Sequence, residues 1–392
     1  MTAPNSAEST PEDYLPPGSW IGMLGGGQLG RMFTHAAQQM GYHVAVYETQ
    51  ANCPASQAAD QHFLPQDDDD VEATLDAMVE RCDVITLEFE NVDSELVRRA
   101  AAKIPAHPRP EFLELCQNRI REKGSLSEAG FPTTPFLPVK TEEEVLQAAE
   151  KLGWPLVLKT ATSGYDGKGQ AIVRSAEQLS EVWPKLGSEE IIAEQWIEFE
   201  AEVSMIAARN TRGDIQCFPL FENDHENHIL FVTRCPASPQ FRGLEIEARE
   251  VCEGIASKFD VVGLFCVEFF VAKDGRLLIN EIAPRPHNSG HVTMDAFQGT
   301  QFDQHVRAVC NLPLLTPEQI RPAAMVNLLG DVWSKGEPDW RQVLQDANAH
   351  LHLYGKAQAR EGRKMGHINV LADDSTTAAQ TAMDLRKRLL AE

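Results

Sequence analysis

Two stretches carry residue types and spacings suited to chemistry. The first, Lys159 to Gln170, reads Lys-Thr-Ala-Thr-Ser-Gly-Tyr-Asp-Gly-Lys-Gly-Gln. Gly164, Gly167 and Gly169 free the backbone to adopt positive φ and approach a ligand closely. Lys159 closes the apolar strand Leu156–Leu158, and Lys168 sits within the loop. Mobile amides with two ammonium groups suit a polyphosphate. The competing reading is a flexible hairpin tip with solvated lysines. The second stretch is Val267-Glu268-Phe269 with Ile279-Asn280-Glu281-Ile282. With Asp274-Gly275 as a two-residue turn, opposed positions sum to 549 and Glu268 faces Glu281; an odd-length turn would shift that register. Like charges facing each other on an apolar hairpin are destabilising. A divalent cation would neutralise them, and all-oxygen ligands with Asn280 adjacent point to Mg²⁺. Two ordinary salt bridges are the alternative.

Other candidates need positioning from farther away. Gly25-Gly26-Gly27-Gln28-Leu29-Gly30 is a Gly-x-Gly-x-x-Gly turn between an apolar strand, Trp20–Leu24, and the helix expected over Arg31–Met40. The strand His43–Tyr47 follows and ends at Glu48, completing a βαβ unit. Taken alone, this predicts a nicotinamide-dependent dehydrogenase, but any phosphate at a helix N-terminus uses the same turn. A third unit, with a helix over Asp70–Arg81 and a strand over Asp83–Phe89, leaves Glu88, Glu90 and Asn91 at a strand's carboxyl end. In an otherwise acidic chain, Lys356, Arg360, Arg363 and Lys364 form a local cationic cluster.

The 392 residues, 43% hydrophobic with net charge −23, indicate a globular protein of two or three domains. That charge argues against a general grip on nucleic acid or anionic membrane. Eight scattered cysteines without a Cys-x-x-Cys pair fit a reducing compartment, and no apolar run reaches transmembrane length. Cytoplasm is the expected location. The fold class expected is α/β with α+β: a Rossmann-like parallel sheet over 19–115 after a disordered tail at 1–18, a second domain over 116–318 with a small α+β lid over 133–196, and a β-rich C-terminal domain over 319–392. In the second domain, strands are expected at Glu202–Arg209, Cys217–Phe221, Leu264–Val271 and Leu277–Ile282.

The loop Ser163–Gln170, the run Glu194-Gln195-Trp196-Ile197, Glu202, and Glu268 with Asn280-Glu281 resemble the ATP-grasp ligases. Gly-Gly-Gly-Gln-Leu-Gly-Arg (25–31), Gly-Tyr-Asp-Gly-Lys-Gly-Gln (164–170) and Asn-Glu-Ile-Ala-Pro-Arg-Pro-His-Asn-Ser-Gly-His (280–291) narrow the resemblance to the N5-carboxyaminoimidazole ribonucleotide synthetase family. The resemblance covers nearly the whole chain from Trp20. Formate-dependent glycinamide ribonucleotide transformylase shares the architecture but has a serine-rich loop in place of Tyr165-Asp166.

The resemblance implies a pre-ATP-grasp domain followed by an ATP-grasp domain. ATP would lie against Arg119, Lys159, Gly164, Tyr165, Asp166, Gly167, Lys168, Gly169, Gln170, Glu194, Gln195, Trp196, Ile197, Glu202, Asn280 and Glu281. His225 would join them, with a surface histidine as the alternative. Glu268 and Glu281 would carry Mg²⁺, two ions in all, and bicarbonate would be a co-substrate. Arg285 and His287 would position it, while Asp166 would serve as acceptor or base. Gln28, Leu29, Glu90, Tyr165, Asp166, Asn288, Ser289, Lys356, Arg363 and Lys364 would bind 5-aminoimidazole ribonucleotide. A homodimer is implied, with neither nucleic acid nor membrane as partner.

Overall fold

The structure is a computed structural model describing residues 14–162, 169–186 and 190–391. Gly164, Tyr165, Asp166, Gly167 and Lys168 lie outside the described residues. The N-terminal sheet is parallel throughout, in the order Gln61–Phe63, His43–Tyr47, Trp20–Leu24, Val84–Leu87, Ala106–His107. Its strands are nearly continuous apolar runs because helices cover both faces. The helix Gln28–Gln39 begins earlier than Arg31, since extended Gly27 already serves as its N-cap. Residues 14–18 correct the expectation of a tail reaching to 18. Leu15 N donates to Cys310 O, Tyr42 Oη donates to Leu15 O at 2.6 Å, and Gly18 N donates to Gly41 O. These bonds tie the segment to the body of the protein.

The lid is an antiparallel sheet ordered Phe136–Val139, Ile191–Gln195, Leu156–Thr160, Gln170–Val173. Helices Glu142–Leu152 and Ala176–Leu186 enclose its apolar core.

Below the lid lies a nine-stranded sheet. It runs from Leu277–Ala283 through Gly263–Ala272, Phe199–Arg209, Phe221–Glu226 and Ile229–Cys235 to Ala323–Leu329, Lys364–Leu371 and Ala349–Leu353. Ile215–Cys217 pairs to one side of this path. The sheet crosses the boundary expected near 318 without a break, because Ile229–Cys235 pairs antiparallel with Ala323–Leu329. The strand expected over Cys217–Phe221 is two strands, Ile215–Cys217 and Phe221–Glu226. Pro219 lies between them and offers no N–H to a ladder.

The hairpin bearing the two glutamates differs from expectation in an instructive way. Its loop has three residues, Lys273-Asp274-Gly275, with Gly275 at φ 85°, and Ala272 N donates to Arg276 O. This moves the register by one, so Phe269 pairs with Ile279. A bulge at Asn280 then restores the lost position, and Glu268 faces Glu281.

Candidate active site

The lid meets the central sheet through a buried charge network. Glu194 Oε2 accepts from Lys159 Nζ at 2.8 Å, and Glu194 Oε1 lies 3.3 Å from Lys123 Nζ. Lys123 comes from the helix Arg119–Glu128 beneath the lid and also donates to Thr134. Burial would raise the Glu194 carboxyl, but the two lysines outweigh it and hold it down to about 2. Lys159 Nζ also lies 3.4 Å from Asn280 Oδ1, so the bulge places that amide at the lid's edge. The Glu194 side chain is thus engaged by both lysines. The N–H groups of Gln195 and Trp196 donate to Pro135 O and Pro155 O, while that of Ile197 has no partner among the described residues.

Gly169 enters the strand at φ 69°, where a Cβ would stand 2.6 Å from Thr160 Oγ1. Gln170 Nε2 reaches His228 Nδ1 at 3.2 Å. The end of the glycine loop therefore touches the turn of the hairpin bearing His225. His225 Nδ1 lies 3.2 Å from Glu202 Oε2. Burial lowers the affinity of this imidazole for a proton, but Glu202 outweighs it and raises the pKa.

Across the ladder, the facing glutamates are differently compensated. Glu268 Oε1 lies 2.7 Å from His287 Nε2. Burial alone would raise the Glu268 carboxyl, yet His287 holds it down to about 2. Burial and then Glu268 push Glu281 up, and its nearest cation, Arg119 Nη2, is 4.0 Å away. Glu122 Oε2 accepts from Ile282 N beneath this pair, while its Oε1 has no partner among the described residues. Burial first, then Glu281, push Glu122 up to about 8. Incompletely neutralised carboxylates at the lid's foot fit a divalent cation. Ligand atoms of Glu202, His225 and Glu268 also lie within 4.8 Å of one another.

Arg285 leaves the same strand end and pairs with Glu90, at the carboxyl end of the parallel sheet. Burial opposes ionisation of Glu90, but Arg285 outweighs it and lowers its pKa. His287, Asn288 and Ser289 follow. Ser289 Oγ lies 2.8 Å from His287 Nδ1, and both amide atoms of Asn288 are buried without a partner among the described residues.

The glycine turn is filled from within. Gly27 N and Gly30 N donate to the two oxygens of Glu88 at 2.8 and 3.1 Å, and Gly26 N donates to Glu48 at 2.9 Å. A Cβ on Gly27 would stand 2.6 Å from Glu88 Oε1. These carboxylates occupy the place a dinucleotide pyrophosphate would need, which removes the basis for the dehydrogenase reading. The N–H groups of Gln28 and Leu29 remain without partners among the described residues.

The cationic cluster docks beside this turn. Arg31 Nη1 donates to Gln57 Oε1 at 2.7 Å, and Gln57 Nε2 donates to Gly355 O at 3.1 Å. Lys356 Nζ donates to Lys364 O at 2.7 Å, and Arg363 Nη1 donates to Gln358 O at 2.8 Å. Neither Arg360 nor Arg363 pairs with a carboxylate among the described residues. Sequence reasoning missed Lys123, Glu122, Arg31 and the clamping role of Glu88. Nothing in a single charged helix shows which of its charges will be buried.

A parallel-sheet domain and a small antiparallel lid whose Lys159 reaches the strand bearing the paired glutamates define an ATP-grasp ligase. Residues 19–117 match the ribonucleotide synthetase preATP-grasp domain, residues 124–302 the ATP-grasp domain, and residues 323–381 the phosphoribosylaminoimidazole carboxylase C-terminal domain. The N5-carboxyaminoimidazole ribonucleotide synthase of Bacillus subtilis (strain 168) is 41% identical over 91% of this chain and 92% of its own. A crystal structure of the Staphylococcus aureus N5-carboxyaminoimidazole synthetase complexed with ADP is 37% identical, with a TM-score of 0.88 over 96% of this chain and 98% of that one. The Aspergillus clavatus synthase, crystallised with ADP and 5-aminoimidazole ribonucleotide, is 30% identical, with a TM-score of 0.84 over 95% of this chain and 99% of that one. The chain belongs to the N5-carboxyaminoimidazole ribonucleotide synthase family.

Proposed function

We propose that this chain carboxylates the exocyclic amine of 5-aminoimidazole ribonucleotide, using bicarbonate and the γ-phosphoryl group of ATP. One observation carries this reading. Glu268, Glu281, Arg285 and His287 come together at one strand end, between the lid's Lys159 and the parallel sheet's Glu90. Arg119 and Lys159 would bind phosphates, and Ile197 N–H with Glu202 would face adenine and ribose. Glu268 and Glu281 would hold Mg²⁺, which when bound would neutralise phosphate charge and favour phosphoryl transfer.

Bicarbonate oxygen attacks the γ-phosphorus as the bond to ADP breaks, giving carboxyphosphate. Its collapse releases carbon dioxide and phosphate. The ribonucleotide amine adds to that carbon and gives up a proton to form the N5-carbamate. Arg285 and His287 would orient bicarbonate and stabilise developing charge. A closed lid would favour capture by amine over escape to water. Gln28, Leu29, Asn288, Ser289, Lys356, Arg363 and Lys364 would hold the ribonucleotide, the cations taking its phosphate side. A homodimeric assembly and a cytoplasmic location belong to the same proposal. No helix among the described residues is long and apolar enough to cross a membrane.

Phosphate release in carbonate-depleted buffer tests the reading. Bicarbonate and 5-aminoimidazole ribonucleotide together should stimulate ATP hydrolysis; stimulation by formate with glycinamide ribonucleotide would replace the assignment with that of the transformylase. In the same assay Arg363→Ala should lose a charge-assisted phosphate contact worth about 1.5–3 kcal/mol. That is a roughly 10- to 150-fold fall in kcat/KM for the ribonucleotide, with ATP affinity nearly unchanged. Unchanged ribonucleotide parameters would make the cluster structural.

A further inference from the structure

The polar chain at His287 continues into the sheet interior, beyond the reach of any substrate. From Ser289 Oγ it passes to Ser204 Oγ at 2.9 Å. Ser204 Oγ accepts from Asn223 Nδ2 at 2.8 Å, and Asn223 Oδ1 accepts from Thr233 Oγ1 at 2.9 Å. Ser204, Ser289 and Thr233 are 0% exposed and Asn223 is 5% exposed. Strand register puts them in line: Ser204 lies opposite Glu268, and Asn223 opposite Thr233.

Apolar side chains would fill these positions without the cost of burying polar groups. The fold therefore does not need this chain for its packing. What the chain supplies is geometry. The His287 ring is held at both nitrogens, by Glu268 at Nε2 and by Ser289 at Nδ1. Between the two anchored residues lies Asn288, whose amide is buried and unpartnered among the described residues. Thr233 donates to Asn223 Oδ1, which fixes the amide so that its Nδ2 donates to Ser204 Oγ and leaves the Ser204 hydroxyl proton free to turn toward Ser289.

We propose that Asn223 and Ser204 are positioning residues for the carboxylation. Through Ser289, they hold the His287 ring and the 287–289 segment in the orientation that the reaction uses. This rests on the role proposed above for His287, but part of its test does not.

Asn223→Leu is nearly isosteric and removes both amide bonds. Ser204→Ala is the milder variant, and Ser204→Thr keeps the hydroxyl. The expected result is about a tenfold fall in kcat for Asn223→Leu and Ser204→Ala, with KM for ATP held within about twofold and activity largely restored in Ser204→Thr. Long-range ¹H–¹⁵N spectra of histidine-labelled full-length protein without substrate provide the second readout. The His287 ring signals, identified by their loss in His287→Gln, should move in Ser204→Ala and stay in place in Ser204→Thr. A lower melting temperature in Ser204→Ala with unchanged kcat and unmoved ring signals would overturn the proposal. If Asn223→Leu does not fold, Ser204→Ala decides. If wild-type protein shows no ribonucleotide-dependent turnover, the functional reading fails, and the ring spectra alone decide whether the chain orients His287.

Discussion

Glu281→Gln should abolish turnover while leaving the fold intact. The two carboxylates face each other across the ladder; Glu268 has His287 at 2.7 Å, whereas Arg119 stands 4.0 Å from Glu281. Burial and the facing Glu268 raise the pKa of Glu281, and a bound cation would relieve that repulsion. Replacing it with the neutral isostere removes one of two opposed charges, so without metal the variant should melt at or above the wild-type temperature. With ATP and Mg²⁺ the sign reverses. A lost contribution to metal-assisted charge stabilisation of about 4 kcal/mol corresponds to roughly a thousandfold fall in kcat. The checks are melting temperature and ATPase rate, each with and without Mg²⁺. Near-normal rates at ordinary Mg²⁺ would remove Glu281 from the metal site.

Glu194→Gln should produce the largest loss of stability. Glu194 and Lys123 are 2% and 1% exposed, and the carboxylate is shared with Lys159. Removing one partner of a buried ion pair leaves an uncompensated charge, at a cost of about 3–5 kcal/mol. Chemical denaturation at neutral pH measures it. Acid provides a second signature with a defined sign. The folded pKa of Glu194, about 2, lies below its ordinary value of 4.5, so its contribution is complete above 4.5 and is lost as pH falls toward 2. Over that window wild-type stability should fall more steeply than that of Glu194→Gln. Equal slopes would mean that Glu194 contributes nothing to the acid transition. Because Glu194 belongs to the lid and Lys123 to the helix beneath, the loss should also loosen the lid's seating.

The sequence made the chemistry legible where short-range rules apply. The parallel strands announce themselves as apolar runs, and the glutamate pairing follows from a hairpin register. The Asp274-Gly275 turn has three residues, and only the bulge at Asn280 returns Glu281 to face Glu268. The hairpin Phe221–Glu226 with Ile229–Cys235 is not legible in the sequence because its first strand ends in Glu-Asn-Asp-His-Glu, which lacks a strand's apolar alternation. Its turn, Asn227-His228, has both residues at positive φ, 50° and 65°, a primed geometry for which Asn is a sequence cue. The Gly-x-Gly-x-x-Gly turn was legible as a strand-to-helix connection. That Glu88 and Glu48 would take its amides was not, since both approach from other strands of the sheet. Buried charge is least legible of all: Lys123 lies on a helix dense in charged residues, and nothing in their spacing marks which of them are buried.

Isotope transfer tests the central claim most directly. Bicarbonate labelled with ¹⁸O is supplied with ATP, Mg²⁺ and 5-aminoimidazole ribonucleotide, and the released phosphate is analysed by mass. Phosphorylation of bicarbonate moves one of its oxygens onto phosphorus, so the account predicts phosphate carrying one ¹⁸O per turnover, with a carbamate formed on the ribonucleotide amine. Unlabelled phosphate without carbamate would mean that water takes the γ-phosphoryl group, and would contradict the assignment.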